Sequence, residues 1–248
     1  MGSLPKSIRD AISVCQGLEF RYIWIDALCI VQDDELDWQR ESVRMLDLYA
    51  NSYITIAAHA AASCHEGFLG KQAFSQPPWQ SSFQVDIGES KYMELYVCVK
   101  DLMKNWGPLW PLSPLMDRGW TLQEAILPRR IIHYTGNELL WECAEHGTCE
   151  CNHMQREGRS SDGRQFLIKR KFHGSDSSNF RRWSVERLNR LVSYGWMELV
   201  SMYSRRKLSV WSDRLVAIAG LAQFVERSTL ATGPDKVELP KAPFSLSA

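Results

Sequence analysis

The chain has 248 residues, 45% of them hydrophobic and 11% aromatic, enough to bury one substantial core. Lys plus Arg and Asp plus Glu each total 29, so no net field points to nucleic acid or an anionic membrane. No apolar run approaches a membrane span. The opening Met1-Gly2-Ser3-Leu4-Pro5-Lys6 is neither a secretory signal nor a myristoylation site, because Lys6 stands where Ser or Thr is needed. The default address is the cytoplasm.

In chain order, Pro5-Lys6-Ser7 followed by Ile8, Ala11, Ile12 and Cys15 predicts a capped amphipathic helix closed at Gly17. Tyr22-Ile23-Trp24-Ile25 reads as a short buried strand ending at Asp26. The acidic stretch Asp33-Asp34-Glu35-Leu36-Asp37 opens a second helix with Trp38, Met45, Leu46 and Tyr49 on its apolar face. Tyr53-Ile54-Thr55-Ile56 reads as a second buried strand. Helix, strand, helix, strand at this spacing predicts an α/β fold: a mixed, largely parallel sheet flanked by helices. The expected core is Trp24, Ile25, Met45, Tyr49, Ile54, Ile56 and Trp120.

Residues 71–90, rich in Gln, Ser, Pro and Gly, suggest a surface excursion before a strand from Tyr92 to Val99. Pro108, Pro111 and Pro114 break regular structure, and a short helix from Thr121 to Leu127 is stopped by Pro128. Ile131-Ile132-His133-Tyr134 and Leu139-Leu140-Trp141 flank a Gly136-Asn137 turn, a hairpin signal. Residues 152–179 read as a loop, followed by helices near 180–203 and 212–227. The organisation expected is a core over 1–151, a linker over 152–179, a helical C-terminal extension over 180–230 and a tail over 231–248.

Seven cysteines form an odd set; Cys15, Cys29, Cys64 and Cys98 read as reduced core thiols. Cys143, His146, Cys149, Cys151 and His153 cluster, but their spacing fits no standard zinc finger, so no metal is assigned. The basic stretch Lys169-Arg170-Lys171, with Arg181-Arg182, reads as a solvated loop rather than a nucleic-acid surface.

Three blocks resemble the heterokaryon-incompatibility (HET) family of filamentous fungi. The first is Tyr22-Ile-Trp-Ile-Asp-Ala-Leu-Cys-Ile-Val-Gln-Asp33; the second runs from Asp37-Trp38 through Met45 to Tyr49-Ala50-Asn51-Ser52-Tyr53. The third is Arg118-Gly119-Trp120-Thr121-Leu122-Gln123-Glu124, with Trp141-Glu142-Cys143 downstream; Ser212-Asp213-Arg214-Leu215 looks like a helix start often found after the domain. The family's usual opening strand, Leu-Ser-Tyr-x-Trp-Gly, does not precede the first helix. That departure implies a gap beside the Tyr22-Ile23-Trp24-Ile25 segment, and either pairing through the exposed edge or its coverage by the 71–114 excursion or the C-terminal helices.

The resemblance implies self/non-self recognition and regulated cell death. HET domains also resemble TIR domains, several of which cleave NAD at the nicotinamide–ribose bond. By that analogy Glu124 and Asp26 are the catalytic candidates, while Arg118, Trp120, Gln123 and Cys29 are the substrate-binding ones. A carboxylate suits the chemistry because glycosidic cleavage passes through an oxocarbenium-like state that an adjacent anion stabilises. NAD enters as substrate, not as cofactor. Two alternatives stand beside this reading: a small enzyme of fungal secondary metabolism on the same scaffold, and an inactive binding partner of full-length HET proteins. The expected partners are a small-molecule ligand and a second copy or another HET protein, with neither nucleic acid nor membrane.

Overall fold

The computed structural model describes residues 4–70, 80–86, 92–98, 113–136, 139–149, 164–173 and 184–232. Helix α1 (Lys6–Gly17) turns Ile8, Val14 and Cys15 inward. Its buried Asp10 accepts the backbone N–H groups of Phe68 and Leu69 at 2.8 and 2.9 Å, which ties the loop after the first strand to the helix. A single turn, α2 (Asp26–Cys29), precedes α3 (Glu35–Ala50). Asp34 caps α3 by accepting from Leu36 N–H at 2.9 Å, as the acidic stretch predicts.

Then follow β1 (Thr55–Ala57), β2 (Gln80–Asp86), β3 (Tyr92–Cys98), α4 (Pro114–Asp117) and α5 (Thr121–Ile126). The chain continues through β4 (Arg130–Tyr134), β5 (Leu139–Cys143), β6 (Gly147–Cys149), α6 (Arg164–His173), α7 (Val185–Ser204) and α8 (Asp213–Thr232). The main sheet has the order β1-β4-β5-β6, while β2 and β3 form a separate antiparallel pair.

The α/β class and the helical C-terminal part stand, but the sheet is not largely parallel. Only β1 and β4 run parallel, with Thr55 opposite Ile131; β4–β5 and β5–β6 are antiparallel. Short connections dictate this, because a tight turn can join only antiparallel neighbours whereas a parallel pair needs a long crossover. Residues 22–25 stay outside the sheet. Ile25 is extended (φ −137°, ψ 122°), yet β1 has β4 as its one neighbour among the described strands. Burial falls accordingly: of the expected core Met45 is buried, but Trp24, Ile25, Tyr49, Ile54, Ile56 and Trp120 are only partly so.

The densest packing lies elsewhere. Leu122, Ile126 and Leu127 of and just after α5 are fully buried against Ile168 of α6, Leu199 of α7 and Ala217 and Leu221 of α8. A smaller cluster joins Val14, Ala61, Phe68 and Tyr134, with the Phe68 and Tyr134 rings 4.8 Å apart. Within 152–179, read as a loop, residues 164–173 form α6. Lys169, read as part of a solvated run, is 0% exposed. Cys15 is buried as a core thiol should be, but Cys29 and Cys64 are exposed. Residues 1–3, 71–79, 87–91, 99–112, 137–138, 150–163, 174–183 and 233–248 lie outside the described set, and with them Val99, Pro108, Pro111, Asn137, Cys151, His153, Arg181 and Arg182.

Candidate functional site

A cleft of about 580 Å³ opens where residues 22–25 stand off from β1. Six aromatic rings stand among aliphatic side chains in its wall: Phe20, Tyr22, Trp24, Tyr49, Tyr53 and Phe68. Trp24 meets Tyr49 edge-on at 5.7 Å, and Phe20 lies 5.1 Å from Tyr53. A chamber of about 150 Å³ lies between β1, β4 and the α4–α5 region, lined in part by His59, Thr121 and His133. Glu124 lines both spaces.

Glu124 belongs to α5, two residues after the fully buried Leu122 and so on a different face of the helix, and the packing of Leu122 and Ile126 fixes the carboxyl at the wall. Burial first, then the charge of Asp26, pushes its pKa up to about 7, against the pull of Arg118 and Arg206. Tyr49 shares this environment: burial, then Glu124 and Asp26, raises its hydroxyl well above the ordinary value.

The predicted site residues divide. Asp26, exposed at the start of α2, accepts Ala27 N–H at 2.7 Å and acts on Glu124 through its charge. Arg118 is exposed and acts on the same carboxyl. Trp120 and Gln123 turn toward α8 instead. The Trp120 indole packs edge-on against Trp38 at 6.2 Å and its N–H donates to Asp213 Oδ2 at 3.4 Å. Gln123, 1% exposed, donates to Ala217 O at 2.8 Å. Gly220 makes room for that contact, since a Cβ there would stand 2.6 Å from Gln123 Oε1. Cys29 is exposed on α2 and lines neither space.

A second polar constellation escaped the sequence reading. Ser113 Oγ lies 2.7 Å from His59 Nδ1, His59 Nε2 lies 3.0 Å from His133 Nδ1, and His133 Nε2 lies 3.2 Å from Glu142 Oε2. Lys169 Nζ closes the chain 2.6 Å from Glu142 Oε1. Burial alone would raise Glu142, but Lys169 and the His133 hydrogen bond hold it down at about 2. Burial, aided by His133, lowers His59 to about 3 and so keeps it neutral. One signal was available: β5 alternates, and Glu142 falls on its buried side, where a carboxylate needs a partner. Among the described residues no group of three or more His, Cys, Asp and Glu could hold a metal ion; Cys143 Sγ does lie 3.4 Å from His146 Nδ1.

The model of the heterokaryon incompatibility protein (HET) family matches residues 1–124. The chain belongs to the HET family. The matched stretch ends at Glu124, so the HET match takes in Asp26, Tyr49, Arg118 and Glu124, while Arg206 and α8 lie beyond it. No curated protein and no solved structure matches the chain. Among the described residues no helix is long and apolar enough to cross a membrane.

Proposed function

We propose that this HET protein acts in self/non-self recognition and regulated cell death, and that its cleft hydrolyses the N-glycosidic bond of NAD at Glu124. The observation that carries the reading is the place of Glu124: it lines an aromatic cleft and the chamber behind it, beside Asp26, Tyr49 and Arg118. A carboxyl near 7 supplies both protonation states around neutral pH, which suits general acid–base work. As the bond breaks, nicotinamide leaves with the bonding pair and positive charge grows on the ribose. The ionised carboxyl stabilises that charge; water then adds at the ribose carbon and gives up a proton. The electron-rich faces of Trp24 and Tyr49 suit the cationic nicotinamide ring, and Arg118 suits a phosphate.

A rival reading rests on the lining itself. Among the described residues, the large cleft is lined by no Lys, Arg or His, which favours an uncharged apolar ligand and hence a small-molecule pathway enzyme. Pairing with a second copy or another HET protein would use the cleft rim, where Tyr22 and Tyr53 are 82% and 66% exposed. The test is incubation of the purified chain with NAD, with nicotinamide and ADP-ribose followed by chromatography. Release that Glu124→Gln abolishes is the expected result. No release, or equal release by the variant, overturns the proposal.

A further inference from the structure

The segment between α7 and α8 reaches the site from beyond the matched stretch. Arg118 and Lys207 form a parallel β-bridge, in which Gly119 N–H donates to Lys207 O at 2.7 Å and Lys207 N–H donates to Asp117 O at 2.6 Å. Gly119 permits that approach: a Cβ there would strike the Leu208 side chain. The bridge brings Arg206 onto the block that carries Glu124. Its Nη1 donates to Arg118 O at 3.1 Å and to Thr121 Oγ1 at 2.8 Å. Thr121 in turn donates to Arg118 O at 2.8 Å, and Glu124 follows three residues later on α5. Arg206 is half-buried and acts on Glu124 from the C-terminal extension.

We propose that Arg206 is a positioning residue of the Glu124 site, fixing the turn from Arg118 to Glu124 and holding a braced guanidinium beside Arg118 on that block. This rests on the proposed reading only in taking Glu124 as the working group. The groups facing that carboxyl are Asp26 from α2, Tyr49 from α3, Arg118 at the end of α4 and Arg206 after α7. Arg206 differs from Arg118 in being braced on two sides by the backbone and hydroxyl it binds. Its charge is therefore held in place, while the exposed Arg118 is screened by solvent.

The experiment is a titration of the Glu124 carboxyl by NMR on the full chain with labelled glutamate, the signal assigned by its loss in Glu124→Gln. Arg206→Gln is expected to raise the midpoint by about one unit, the effect of removing a nearby opposite charge. Arg206→Lys keeps the cation and is expected to leave the midpoint within a fraction of a unit. Arg190→Gln, which breaks an exposed ion pair with Glu186 on α7, should leave it unchanged. An unmoved midpoint in a folded Arg206→Gln protein overturns the proposal. Should that variant not fold, Arg206→Lys decides: a shift of a full unit overturns it. No substrate is present, so the outcome stands apart from NAD cleavage. If NAD is cleaved, the limb of the pH–rate profile set by Glu124 moves by the same amount.

Discussion

Glu142 and Glu124 both sit where burial disfavours a charged carboxyl, yet one is held at about 2 and the other at about 7. Lys169 and His133 touch the Glu142 oxygens at 2.6 and 3.2 Å, so its negative charge is matched in place. Glu124 faces the like charge of Asp26, and Arg206 bonds to Arg118 O and the Thr121 hydroxyl rather than to the carboxyl. Direct partners, not depth, decide which carboxylate is structural and which is poised near neutrality. The first region clamps β4, β5 and α6 together; the second borders open space on two sides.

Breaking the clamp should have the largest effect. Lys169→Met leaves Glu142 buried with its main counter-charge gone, and is expected to destabilise the chain by about 3–5 kcal/mol in denaturant unfolding. A loss below about 1 kcal/mol would falsify the claim that this pair is structural. Next comes the seam between α5 and α8. Gly220→Ala drives a methyl into Gln123, for an expected loss of about 1–3 kcal/mol by thermal or chemical unfolding. Trp24→Ala should cost less than the roughly 3–5 kcal/mol of a core tryptophan, about half of it, because the ring lines an open cleft. A full core-sized loss would mean that residues 22–25 belong inside the sheet after all.

The smallest effects sharpen the contrast through pH. Glu142 is depressed from its ordinary 4.5, so its contribution is present above about 4.5 and fades as pH falls toward 2. Neutral His59 acts in the same direction, losing its contribution as pH falls from 6.5 toward 3. Glu124 has the opposite sign: its folded value is raised, so stability falls as pH rises from about 4.5 through about 7. Glu124→Gln is therefore expected to be more stable than the parent at about pH 8 and equal to it near pH 4. Unfolding curves at both values check this, and the same difference at both would refute the raised pKa.

Much of the fold was legible because the signals are local. The Asp34 cap, the amphipathic faces of α1 and α3, and the antiparallel pairing of β4 with β5 are encoded within a few residues of where they act. The three sequence blocks sufficed to point to the HET family, because their order and spacing are properties of the chain alone. Sheet direction and the fate of residues 22–25 were not legible, since an apolar run does not state which neighbour, if any, will pair with it. The site shows the same limit. Trp120, Gln123 and Glu124 stand within five residues, yet two of them join α8 and the third faces the cleft. Gln123 meets Ala217 across 94 positions, and Arg206 reaches Thr121 across 85. The sequence by itself determined helices α1 and α3, the Asp34 cap, the β4–β5 hairpin and the carboxylates on offer. Tertiary structure alone decided which carboxylate received a lysine and which was left beside another acid. Charge pairing depends on distance in space, and folding brings distant parts of the chain together.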